Sequence, residues 1–141
     1  MVWIHGGAYR HGTGSIPWYD GTRFANESDI VTVTINYRLG ALGFARIPGA
    51  PTSGINGILD QISALEWVRN NIESFGGDPN NITIAGESAG AFSVATIMAM
   101  NESTGLFQKA ITQSGAGHHV LSQQEAESAG EMFMTALSAN S

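Results

Sequence analysis

The stretch Gly86-Glu87-Ser88-Ala89-Gly90 constrains this chain more than any other. It reads G-x-S-x-G and falls where the residue pattern turns from strand to helix. Asn81-Ile82-Thr83-Ile84-Ala85 before it is short, β-branched and apolar, as buried strands are. Ala89 to Met100 after it is rich in helix formers. A serine at so sharp a turn is pushed out of the fold with its hydroxyl exposed. Glycines flank it because a Cβ would clash where strand and helix fold back on each other.

A second segment acquires meaning beside the first. Met1-Val2-Trp3-Ile4 reads as a buried strand that runs straight into His5-Gly6-Gly7-Ala8-Tyr9. Two adjacent glycines, Gly6 and Gly7, let the backbone aim its N–H groups at one point. Such a loop can hold the oxyanion of a tetrahedral intermediate, together with the N–H of the residue after a nucleophile. The expected donors are Gly7, Ala8 and Ala89, with Ser88 as nucleophile. Taken alone the loop reads equally well as an ordinary glycine turn.

Along the chain, strands and helices alternate without a linker or an internal repeat. Strands are expected at Met1 to Ile4, Ile30 to Asn36, Asn81 to Ala85 and Lys109 to Gln113. The clearest is Ile30 to Asn36, which is β-branched almost throughout. Helices are expected near Gly21 to Asn26, through Ile58, Leu59, Ile62, Leu65, Val68 and Ile72, from Ala89 onward, and from about Gln123 to Leu137. A long glycine- and proline-rich loop is expected from Tyr37 to Asn56. This order implies an α/β fold, a mostly parallel sheet with helices on both faces. Such sheets carry their sites at the carboxyl ends of the strands, where both the glycine loop and Ser88 fall.

Further motifs carry a family resemblance. Asn36-Tyr37-Arg38-Leu39-Gly40-Ala41-Leu42-Gly43-Phe44 resembles the N-Y-R-x-G-x-x-G-F of type-B carboxylesterases, the group that includes cholinesterases and bacterial para-nitrobenzyl esterases. Gly57, Asp60-Gln61, Ala64-Leu65 and Trp67-Val68 resemble that family's G-L-x-D-Q-x-x-A-L-x-W-V helix. Phe75-Gly76-Gly77-Asp78-Pro79 and the segment from Phe107 to Gly115 resemble two more of its motifs. The match runs over about residues 1 to 117 and loosens from His118 onward. It implies a partial α/β-hydrolase fold and a serine esterase that works through an acyl-enzyme on small-molecule esters, with no metal or cofactor. It also implies that residues 1–141 are an incomplete domain, with the parts before the first strand and the triad acid and histidine lying outside the chain. A hormone-sensitive-lipase-like esterase, a neuroligin-like interaction protein and an inactive fragment are the alternatives.

The chain has 141 residues, enough for one core. Its net charge is −6 and its six basic residues are scattered, which leaves no footprint for nucleic acid. No apolar run reaches the length of a membrane-spanning helix. With no cysteine, disulfides and thiolate nucleophiles are excluded. None of this fixes a compartment.

A serine nucleophile needs a histidine base, itself oriented by a carboxylate. The chain offers His5, His11, His118 and His119. The resemblance makes His5 structural and puts the base elsewhere. His118 and His119, after a strand end, remain candidates for the rim of the site. Glu87 sits on the turn itself and cannot readily orient a histidine that also reaches Ser88. The resemblance gives Glu87 and Ser114 a supporting role in a buried network behind the nucleophile, and pairs Arg38 with Asp60 in a buried ion pair. Tyr9, ahead of Trp18 and Tyr19, is the expected substrate-binding side chain. Trp67, Phe75, Met98, Met100, Met132 and Met134 fit core or helix-face roles.

Overall fold

The structure is a computed structural model that describes residues 1–51 and 53–138. Thr52, in the expected long loop, and the last three residues of the expected domain lie outside the described residues. Four strands form one parallel sheet: β1 (Val2–Ile4), β2 (Val33–Thr34), β3 (Thr83–Glu87) and β4 (Lys109–Gln113), in the order β2-β1-β3-β4. The register sets Val2 beside Val33 and Ile84, Ile4 beside Gly86, and Gly86 beside Thr112. Five helices are described: α1 (Thr22–Ser28), α2 (Gly40–Phe44), α3 (Asn56–Asn71), α4 (Ala89–Met98) and α5 (Gln123–Ser138).

The pleat divides the sheet's side chains between two faces. Val2, Ile4 and Ile84 point to the face that α3 and α4 cover, and all three are fully buried. Ile58, Ile62, Leu65 and Val68 of α3 and Val94 and Ile97 of α4 complete this core. Trp3 and Ala85, the intervening residues, belong to the opposite face. There the Trp3 ring packs on Tyr19, 5.3 Å between ring centroids, near Phe24 of α1. Towards β4 this face is bare: Ile111 is 45% exposed, and Trp18 and Phe24 stand out in solvent.

Two expectations about elements need correction here. The strand expected over Ile30 to Asn36 is a two-residue ladder at the sheet's edge. Among the described residues it pairs with β1 alone, itself three residues long, with bonds from Val33 N–H to Met1 O and from Ile35 N–H to Trp3 O at its ends. The loop from Tyr37 to Asn56 contains the short helix α2. Its glycines hid it, since glycine is a poor helix former. Gly43 is nonetheless required, because a Cβ there would lie 2.1 Å from the Arg38 carbonyl oxygen. Of the large apolar side chains expected in core or helix-face roles, Trp67, Met98, Met132 and Met134 are exposed on helices, Phe75 is exposed, and Met100 packs against the core.

The Arg38–Asp60 pair forms as expected, but not in a buried place. Arg38 Nη2 lies 2.7 Å from Asp60 Oδ1, with side chains 49% and 26% exposed. Arg38 Nε and its backbone N–H both donate to Oδ2. One carboxylate on α3 therefore ties down the start of the α2 loop.

Candidate active site

Strand β3 ends at Glu87 and α4 begins at Ala89, so Ser88 alone makes the turn. It adopts φ 53°, ψ −121°, a conformation that L-residues rarely take. Bonds on both sides hold it there. Ser88 N–H donates to Gln113 O of β4 at 2.9 Å, and Ser88 O accepts from Phe92 N–H at 3.0 Å.

The two glycines of the motif are steric necessities. A Cβ at Gly90 would lie 2.0 Å from the Ile4 carbonyl oxygen, and one at Gly86 would lie 2.4 Å from the Gly90 carbonyl carbon. Strand, helix and the end of β1 thus meet at backbone contact, as the turn's sharpness demands.

The same close approach brings the glycine loop to the serine. A methyl group on Gly6 would lie 2.7 Å from the Glu87 carbonyl oxygen and 3.2 Å from Ser88 Cβ. Gly7 has φ 117°, and Ala8 and Tyr9 follow at φ 55° and 59°. This left-handed run curls the loop, with Arg10 and His11 N–H groups both donating to Gly7 O. Among the described residues, no protein acceptor takes the N–H groups of Gly7, Ala8 and Ala89. Ala89 N–H is open because it starts a helix, whose first amides have no partner within it.

Beneath the loop lies His5, 1% exposed. Its Nδ1 is 2.8 Å from Gly6 O; since a carbonyl only accepts, the proton is on Nδ1. Its ring stacks on Tyr37, centroids 4.6 Å apart, and the Tyr37 hydroxyl donates to His5 O at 2.7 Å. Burial pushes the Tyr37 hydroxyl's pKa up, so it remains a donor throughout the working pH range. His5 Nε2 is buried and has no hydrogen-bond partner among the described residues. This histidine props the loop from below.

The other candidates are placed as follows. His11, His118 and His119 are exposed. His118 and His119 flank Phe92, at 5.5 Å and 4.8 Å between centroids, one helical turn beyond Ser88. No hydrogen bond joins Ser88 to any histidine among the described residues. Glu87 reaches towards the loop, its Oε2 being 3.1 Å from where a Gly6 Cβ would stand. Ser114 has φ 55°. Both side chains are exposed, and no hydrogen bond links them among the described residues. Tyr9 is turned inward: its ring packs on Phe44 at 4.4 Å, and its hydroxyl accepts from buried Ser93 Oγ at 3.3 Å. Trp18 and Tyr19 lie on the Trp3 side of the sheet. The sequence reading missed Ser93 and the buried role of Gln61; a polar residue amid the apolar positions of a helix was the available signal.

A parallel sheet in which one strand runs into a glycine loop and its neighbour into a serine elbow is an α/β-hydrolase fold. The solved structure of a thermophilic PNB esterase superposes with a TM-score of 0.92 and 47% identity, covering 97% of this chain and 29% of that one. The chain belongs to the carboxylesterase family, whose model matches residues 1–139. It is 48% identical to a para-nitrobenzyl esterase of Bacillus subtilis over 99% of its own length and 29% of that protein's. It is 49% identical to a cholinesterase of Mus musculus, covering 84% of this chain and 20% of the relative. It therefore spans less than a third of the length of these relatives.

Proposed function

We propose that this chain carries the nucleophile and oxyanion hole of a serine carboxylic-ester hydrolase. The observation that carries the reading is the close approach of Gly6 to Ser88, in its left-handed turn, with the Gly7, Ala8 and Ala89 amides unbonded among the described residues. Ser88 Oγ attacks the acyl carbon of a small-molecule ester. The carbonyl oxygen takes the negative charge and is held by the three N–H groups. The C–O bond to the alcohol then breaks, the alcohol leaves with a proton, and the acyl-serine remains. Water attacks this ester in turn and frees the acid.

Glu87 supports the turn from beside Gly6, and Ser114 lies at the end of β4, the strand that receives Ser88 N–H through Gln113. The general base and its acid belong to the part of the fold that this chain does not span. The relatives are named as esterases, which agrees with the substrate class.

Hydrolysis of a para-nitrophenyl ester tests the proposal. Without the other triad members the chain should fall about 10⁴-fold or more below a complete enzyme. What remains should vanish in Ser88→Ala. Hydrolysis of equal rate in that variant would place the reaction elsewhere.

A further inference from the structure

Two polar side chains lie in the core with no exposure at all, Gln61 on α3 and Ser93 on α4. Burying such groups is costly unless they bond to something. They bond to each other, Gln61 Nε2 donating to Ser93 Oγ at 3.1 Å, and Ser93 Oγ in turn donates to the Tyr9 hydroxyl at 3.3 Å. A chain of hydrogen bonds thus leads out of the α3–α4 core and ends on one residue of the glycine loop.

That residue needs holding. Ala8 and Tyr9 are consecutive non-glycine residues at positive φ, a strained arrangement that persists only where surroundings enforce it. Tyr9 is gripped at three points: its hydroxyl by Ser93, its ring by Phe44, and its carbonyl oxygen by Gly40 N–H at 2.6 Å. The hydroxyl is the only one of these that reaches α4, the helix that Ser88 caps and Ala89 begins.

We propose that Tyr9 is a positioning residue, whose hydroxyl, through Ser93 and Gln61, fixes the strained loop so that the Gly7 and Ala8 amides face the same point as that of Ala89. This rests on the oxyanion reading of the loop and replaces the substrate contact expected of Tyr9. The anchor couples both halves of the oxyanion hole to one helix, so loop and nucleophile move together.

The test is amide hydrogen exchange on the 141-residue chain with Tyr9→Phe, Ser93→Ala and both. Each single variant should speed exchange of the Gly40, Arg10 and His11 amides about fivefold, as loss of one neutral hydrogen bond would. Ile84 and Val94 amides should keep their protection. At the loop amides the double variant should match either single one, because the Ser93–Tyr9 bond, the contact that reaches the loop, is lost in all three. Unchanged loop exchange, a rise spread equally over Ile84 and Val94, or additive effects would each overturn the proposal. Fluorophosphonate labelling of the unsubstituted chain is run beside it. Failure there would count against the hydrolase reading alone, since the exchange result does not depend on Ser88 reactivity.

Discussion

At Ser88 a single residue bears the whole change of direction from β3 to α4, in a conformation that costs a non-glycine residue about 1–3 kcal/mol. Neighbouring backbone enforces it, and the glycines make that proximity possible. Gly90→Ala should therefore destabilise the chain by about 1–3 kcal/mol, as forced overpacking does, because the Ile4 carbonyl and α4 cannot both stay in place. Chemical denaturation would measure it. A Gly40→Ala control meets no neighbouring atoms and carries only the strain of its φ of 56°. Ser88 and the glycine pair were readable from sequence because each obeys a local rule of backbone geometry. The inward turn of Tyr9 was not, since it depends on Ser93 and Gln61, remote in sequence.

Among the elements, β4, α3 and α4 follow their sequence patterns closely, whereas the strand expected over Asn81 to Ala85 runs two residues later, as Thr83–Glu87, because pairing with β1 and β4 carries it into the turn motif. The strand at Ile30 to Asn36 shrank because a ladder needs a partner of equal length, which no local pattern reveals. Leu65, with no exposure, lies at the centre of the core face of α3, and Leu65→Ala should cost about 2–5 kcal/mol. The join between the α2 loop and α3 should depend on pH. Hydrogen bonds from Arg38 hold the Asp60 carboxyl below its usual range, against a smaller opposing effect of burial. Its folded pKa thus lies under the unfolded value of about 3.9. The pair contributes fully above that value and is lost as acid titrates the folded carboxylate. Asp60→Asn should accordingly lower stability at neutral pH, and the gap from the unsubstituted chain should close below about pH 4. A gap that stays constant in acid denaturation curves would show that the charge contributes nothing.

Over the whole molecule, one face of the sheet is packed and the other is largely open. Ile111, Trp18 and Phe24 lie on or beside the open face, and β4 is an edge strand with mostly exposed side chains. Edges and apolar faces of this kind promote association. The purified chain should self-associate at micromolar concentration by light scattering, and Ile111→Lys should reduce this without loss of helical signal. The parallel architecture was legible from the alternation of strands and helices. The openness of one face was not, because a strand pattern shows which residues alternate and not what covers them.

The central claim is that Ser88 and the glycine loop meet as a working oxyanion site. Fluorophosphonate labelling of the folded chain, with the modified residue located by mass spectrometry, tests it most directly. The elbow and hole alone retain about 10³–10⁴-fold catalysis over water when triad members are missing. A slow, single adduct on Ser88 that disappears in Ser88→Ala is therefore expected. No adduct in a folded sample, or an adduct on another residue, would contradict it.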